Sequence, residues 1–133
     1  MERNRVILDS NVFIAFYYEN DSLHEESVLL MKEIQHKEII VPYCVIQEVA
    51  TILSYRLGKK VANIFLDDIK KANNVLIVNN DVFSEINFYQ NFSEKISFTD
   101  IALMHLSQKY KTPLYAFDKQ LISVFKKHLK SNN

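Results

Sequence analysis

The sequence predicts an α/β fold, with helices layered on both faces of a central parallel sheet. Three observations lead there. Four short runs rich in β-branched and aromatic residues, Arg5–Leu8, Ile39–Val41, Val75–Val78 and Leu114–Phe117, are too short for helices and read as strands. Longer segments with apolar residues at helical spacing lie between them, and strands alternating with helices pack as parallel strands joined by crossovers. The strand runs also do not alternate apolar with polar, the pattern of strands covered on both faces.

The first strand ends at Asp9, and a helix is expected after it. Ser22 precedes a helix over Leu23–Gln35, apolar at Leu23, Val28, Leu30, Met31 and Ile34. After the second strand, Tyr43–Leu57 is apolar at Val45, Ile46, Val49, Ala50 and Leu53, and Lys59–Ala72 at Val61, Ile64, Phe65 and Ile69. Asp81–Phe92 follows the third strand as a helix, and Phe98–Tyr110 precedes the fourth. The amphipathic Lys119–Leu129 closes the pattern. With one glycine, Gly58, and two prolines, Pro42 and Pro113, there is no linker-like stretch. Residues 1–133 are therefore expected to form a single domain.

Composition narrows the function classes. Hydrophobic residues make up 48% of 133, enough for a core without disulfides or structural metal. Sixteen acids balance sixteen bases, which excludes a histone-like binder held by bulk positive charge. The lone Cys44 allows no intrachain disulfide and fits a reducing, cytoplasmic setting. Neither a signal peptide nor a membrane-spanning run is expected.

The informative feature is where particular acids fall. Asp9 follows the first strand and Asp118 the fourth. In open parallel sheets ligands bind beyond the carboxyl ends of strands, where strand order reverses. A carboxylate there is partly desolvated, which is costly unless it is hydrogen-bonded, paired or bound to a cation. The competing role for each is a helix N-cap. Glu48 lies at the edge of an apolar helix face, where a glutamate snorkelling to solvent is the ordinary alternative. Asp100 stands in Ser97-Phe98-Thr99-Asp100, a sequence that also suits a capping box.

These residues carry a resemblance. Leu8-Asp9-Ser10-Asn11-Val12-Phe13, Ile46-Gln47-Glu48-Val49, Phe98-Thr99-Asp100-Ile101-Ala102-Leu103 and Tyr115-Ala116-Phe117-Asp118-Lys119 resemble, in order and spacing, the motifs of PIN domains. The likeness is in particular to the VapC-type toxin ribonucleases of toxin–antitoxin pairs. The resemblance implies a three-layer α/β/α PIN-like domain with a sheet of about four strands in the order 3-2-1-4. It implies RNA phosphodiester hydrolysis at Asp9, Glu48, Asp100 and Asp118, with all four as direct or water-mediated ligands of Mg²⁺ or Mn²⁺. Glu48 is alternatively the group that orients the attacking water. Asn11 is expected to steady Asp9 or its loop, with Ser10 and Thr99 in weaker supporting roles. An antitoxin protein and a homodimer are the implied partners, and the aromatics Phe16, Tyr17, Tyr18 and Tyr55 could serve an interface. Two departures stand out: the family's further short strand after the last acid is missing, and Phe117 replaces an often polar residue.

Physical chemistry is consistent with a cation. Clustered carboxylates raise one another's pKa unless a positive charge compensates. An all-oxygen donor set suits Mg²⁺ or Mn²⁺, and His24, His36, His105 and His128 show no zinc-like spacing. Arg56, Lys59, Lys60 and Lys119 are candidates for a phosphate-binding rim, or simply solvated surface. A receiver domain would need an early acidic pair and an aspartate ending the third strand, where Asn79-Asn80-Asp81 stands instead. A haloacid-dehalogenase-type phosphatase would need an aspartate at Asn11. A catalytically silent PIN-like RNA-binding or scaffold module remains an alternative.

Overall fold

The structure, a computed structural model, describes residues 4–131. Its elements run β1 (Arg5–Leu8), α1 (Ser10–Tyr17), α2 (His24–Glu33), β2 (Glu38–Pro42), α3 (Tyr43–Leu57), α4 (Lys59–Lys71), β3 (Val75–Val78), α5 (Val82–Gln90), α6 (Phe98–Tyr110), β4 (Leu114–Tyr115) and α7 (Lys119–Ser131). The four strands form one parallel sheet in the order β3-β2-β1-β4. This is the order and class the sequence and its resemblance led us to expect.

Topology decides where a site can form. Two successive crossovers run the same way, from β1 to β2 to β3, and their helices α1–α4 pack together on one face. The third crossover returns past β2 and β1 to β4, and its helices α5 and α6 pack on each other. Strand order therefore reverses at β1, and the crevice beyond the carboxyl end of β1 is the switch point of the sheet. The register Arg5↔Glu38 places an ion pair (3.0 Å) at the opposite end of β1 and β2.

β1 is central, and Val6, Ile7 and Leu8 are buried with Ile40 and Val41 of β2. Each such aliphatic side chain contributes about 1.5–3 kcal/mol on leaving water. Phe65 of α4 is wholly buried and takes the edges of Phe13 and Tyr17 from α1 (centroids 5.8 and 5.5 Å). Tyr17 also donates its hydroxyl hydrogen to Asp68 of α4. These contacts account for Tyr17, which serves the α1–α4 junction, and Phe16 packs edge-on against it. Tyr55 stays 88% exposed.

Several expectations need correction. The helix anticipated from Leu23 begins at His24 and ends at Glu33, and Ser22 does not cap it. Asp21 instead accepts the Leu23 amide (2.8 Å). The fifth helix is shorter than Asp81–Phe92, because Asp81 is its cap, accepting from the Ser84 amide. β4 stops at Tyr115, not Phe117. Its neighbour β1 has turned into α1 by Ser10, so Leu8↔Tyr115 is the last strand pair. Burial on both faces holds for β1 and β2 but not for β3. As an edge strand, β3 leaves Leu76 and Ile77, on opposite faces, exposed.

Candidate active site

β1 delivers Asp9 to the switch point. Its backbone is extended (φ −63°, ψ 151°) at the N-cap position of α1, yet its carboxylate makes no capping hydrogen bond. The cap reading therefore does not account for this side chain. Asp9 is 3% exposed. Burial first, then the nearby charge of Asp100 and, more weakly, those of Glu48 and Asp118 push its pKa up to about 7, against an opposing pull from the Ser10 amide that exceeds either of the last two. No lysine, arginine or histidine among the described residues forms an ion pair with it. Four acids that lie up to about a hundred positions apart in sequence thus share one electrostatic neighbourhood.

The other three reach it from separate helices. Glu48, half-buried on α3, accepts a hydrogen bond from the Ser10 hydroxyl at 2.6 Å. The Ser10 hydroxyl therefore holds Glu48, while its amide acts on Asp9. Asp100 sits in the first turn of α6, where Ser97 caps the helix by accepting the Asp100 amide (3.1 Å). Burial raises the Asp100 pKa, the Ser97 hydroxyl lowers it, and Asp118 and Glu48 raise it further. Asp118 lies three residues beyond β4 rather than directly after it. One of its oxygens, Oδ1, accepts the Gln120 and Leu121 amides (2.9 and 3.3 Å) and caps α7. Asp118 is exposed, contrary to the desolvation expected of a strand-end acid. Cap and neighbour of Asp9 are roles one carboxylate fills together, since its second oxygen remains for other partners.

The supporting residues divide. Asn11 is exposed and Thr99 half-buried, and neither makes a side-chain hydrogen bond to the acids within the described residues. Lys119 follows Asp118 and is exposed. Arg56, Lys59 and Lys60 are exposed at the tip of the α3–α4 hairpin. From Glu48 to Arg56 is eight residues of helix, roughly 12 Å at 1.5 Å per residue, so these three stand away from the acids.

Residues that sequence reasoning missed complete the surroundings. A polar cavity of about 200 Å³ is lined by Asp100 and Asp118 together with Lys95, Ser97 and Gln120. Beside α3, Asn80 accepts the Cys44 amide (3.3 Å) and donates to the buried Glu85 (2.5 Å). Burial raises the Cys44 thiol pKa, so the residue is not a thiolate nucleophile. The Asn79-Asn80-Asp81 turn was the only hint of this cluster. Asn80 ties β3 to α3, which carries Glu48.

The donor set is oxygen. The His24 ring contacts the Ala15 carbonyl, and His105 and His128 pack on Phe88, so no imidazole joins the acids there. Among the described residues no three acid, histidine or cysteine side chains close around a single point. A hydrated hard cation needs less. Mg²⁺ takes one or two protein carboxylates and keeps several waters, so a buried, uncompensated Asp9 with three acids near it fits such an ion.

Comparison with known proteins agrees with this architecture. The PIN domain family model matches residues 6–127. The crystal structure of Mycobacterium tuberculosis VapC20, described as a sarcin-ricin loop cleaving toxin, superposes with a TM-score of 0.77 at 17% identity. The match covers 90% of this chain and 94% of that one. No curated protein sequence matches the chain. The family match spans nearly every element described above, from the first strand to the last helix, and on that basis the chain belongs to the PIN domain family.

Proposed function

We propose that this chain is a divalent-metal-dependent endoribonuclease and the toxin of a toxin–antitoxin pair. The observation that carries the reading is Asp9: a buried carboxylate at the switch point, uncapped, without a cationic partner among the described residues and pressed by three other acids. A PIN-family chain with a VapC toxin as structural neighbour gives that site a reaction.

Asp9, Asp100, Asp118 and Glu48 would hold Mg²⁺ or Mn²⁺, directly or through water. When bound, the ion supplies charge neutralisation and Lewis acidity at the scissile phosphate. The chain's own residues supply the rest. Asp9 fixes the centre of the site because β1 is rigid and buried. Ser10 holds the Glu48 carboxylate, so Glu48 is preset to orient an attacking water and accept its proton. The Asp118 Oδ1 is occupied by α7 amides, which fixes the direction of its other oxygen. Water attacks the phosphorus in line, the P–O bond to the leaving oxygen breaks, and that oxygen takes a proton. The same reading assigns residues 1–133 to one domain in the cytoplasm, with an antitoxin protein and a homodimer as its assemblies. No helix among the described residues is long and apolar enough to cross a membrane.

The test is cleavage of a panel of defined tRNAs and rRNA fragments with and without Mg²⁺. Wild type should cut at least one RNA, EDTA should stop it, and Asp9→Asn or Asp118→Asn should lower the rate by about 1,000-fold or more, near the scale of losing a main electrostatic contributor. Wild-type-like cleavage by either variant removes the assignment. Failure to bind Mn²⁺ in calorimetry would instead make the chain a silent RNA-binding or scaffold module.

A further inference from the structure

Ser10 holds Glu48 at its carboxylate, and a residue beyond β3 holds the start of its helix. The N-cap of α3 is Pro42, whose ring offers no acceptor and makes no capping hydrogen bond. Asn80, two residues after β3, fills that place: its Oδ1 accepts the Cys44 amide (3.3 Å). Asparagine is a preferred cap because its side-chain oxygen reaches a free amide of the first turn, and here it does so from thirty-six positions away. In the helical ladder the Glu48 amide pairs with the Cys44 carbonyl, and the two side chains, four residues apart, lie on one face of α3. Asn80 therefore grips the residue from which Glu48 hangs.

A side-chain amide caps a helix only when its oxygen faces the helix. Glu85, in the first turn of α5 and 3% exposed, fixes that orientation. Its Oε1 accepts a hydrogen bond from the Asn80 Nδ2 (2.5 Å), which leaves the Asn80 oxygen for Cys44. With the amide reversed, two donors would meet at Cys44 and two acceptors at Glu85, and each buried group would lose its bond. The Asn80 Nδ2 also donates to the Cys44 sulfur (3.5 Å). Burial chiefly raises the Cys44 thiol pKa, and the charges of Glu85 and Glu48 add to it against the Asn80 bond, so both acids stand near Cys44.

We propose that Asn80 and Glu85 are positioning residues for Glu48: Glu85 orients the Asn80 amide, Asn80 caps α3 across the carboxyl edge of the sheet, and the cap fixes the turn that presents Glu48 to the site. The proposal rests on the nuclease reading and names further residues on which that site depends. Packing of Val45, Val49 and Leu53 sets which side of α3 is buried, but Pro42 leaves the first turn without a side-chain cap of its own. A group that orients water must be held to within about 0.5 Å of its productive place. A displacement of about 1 Å lowers the rate by about a hundredfold. Neither Asn80 nor Glu85 is asked to touch the substrate; both act through the helix that carries Glu48.

The experiment compares wild type with Asn80→Leu, Glu85→Leu and Glu85→Gln. Glutamine keeps a carbonyl oxygen for the Asn80 amide, whereas leucine keeps the bulk without it. In the metal-free proteins circular dichroism checks folding, and amide hydrogen exchange reads the cap. The Cys44 amide should exchange on the order of tenfold faster in both leucine variants, and at the wild-type rate in Glu85→Gln. In Mg²⁺, kcat on an RNA that wild type cuts should fall on the order of tenfold or more in both leucine variants, with KM nearly unchanged and Glu85→Gln close to wild type. Single-turnover rates in a Glu48→Gln background separate positioning from general support of the fold. There the leucine substitutions should change the remaining rate by less than about twofold, because the carboxylate they steer is gone. Unchanged protection of the Cys44 amide in folded Asn80→Leu overturns the cap, and an equal fall in rate with and without the Glu48 carboxylate overturns the positioning role. Absence of cleavage by wild type would instead count against the nuclease reading, while the exchange comparison still decides whether Asn80 and Glu85 cap α3.

Discussion

Asp9 shows at the scale of one residue how a buried acid among other acids costs stability. Its folded pKa of about 7 lies above its ordinary value of 3.8, so the metal-free fold prefers the protonated acid. The contribution is complete below about pH 4 and is lost as pH rises through about 7. One pH unit between the folded and unfolded values corresponds to about 1.4 kcal/mol, so the loss is at most about 4 kcal/mol. Metal-free wild type should therefore melt at lower temperature at pH 8 than at pH 5.5. Asp9→Asn, neutral throughout, should flatten that dependence and exceed wild type at pH 8. Thermal melts in EDTA across that range check both; a wild-type Tm that rises with pH would contradict the electrostatic account. The position of Asp9 was legible because it directly follows an apolar strand run. The partner of Ser10 was not. A hydroxyl beside Asp9 says nothing about a glutamate thirty-eight residues away until α1 packs against α3.

Among the elements, the α3–α4 hairpin depends on its turn. Gly58 ends α3 and precedes α4 at φ 96°, ψ 164°, a region that is essentially glycine-only. A Cβ there would meet no atom within 4 Å, so the backbone alone carries the strain of a substitution. Gly58→Ala should cost about 1–3 kcal/mol in urea unfolding, with the unfolding slope unchanged. A neutral result would show that the hairpin tolerates another turn. Helix existence was readable from apolar spacing for every long helix. The ends were harder, because capping by Asp21 and Asp81 displaced boundaries that periodicity alone placed elsewhere. β3 misled for another reason: a run of Val-Leu-Ile-Val reads the same at an edge as in the centre. Only the strand order, which the resemblance implied and local pattern could not, marks it as peripheral.

For the whole molecule, the four acids join three otherwise separate parts: β1, the α3 layer and the α6–α7 corner beyond β4. A cation held by all of them should therefore stabilise the complete fold. Ligand at about a hundred times its dissociation constant adds about 2.7 kcal/mol. Mn²⁺ should raise the Tm of wild type and leave that of Asp9→Asn nearly unmoved. Equal shifts in the two proteins would mean that the ion binds elsewhere. The acids themselves were visible in the sequence as an ordered set. Lys95 and Gln120 were not, because they flank loops whose course only the assembled fold decides.

The parallel sheet has a consequence for synthesis. Every strand pairs with one far along the chain, and Ile7 meets Leu114 last of all. Such distant pairings close slowly and late, since each must overcome the entropy of a long intervening loop. A ribosome-bound fragment that lacks β4 and α7 holds Asp9 without Asp118. With the proposed chemistry, the growing polypeptide is therefore harmless to the RNA around it until the final strand docks.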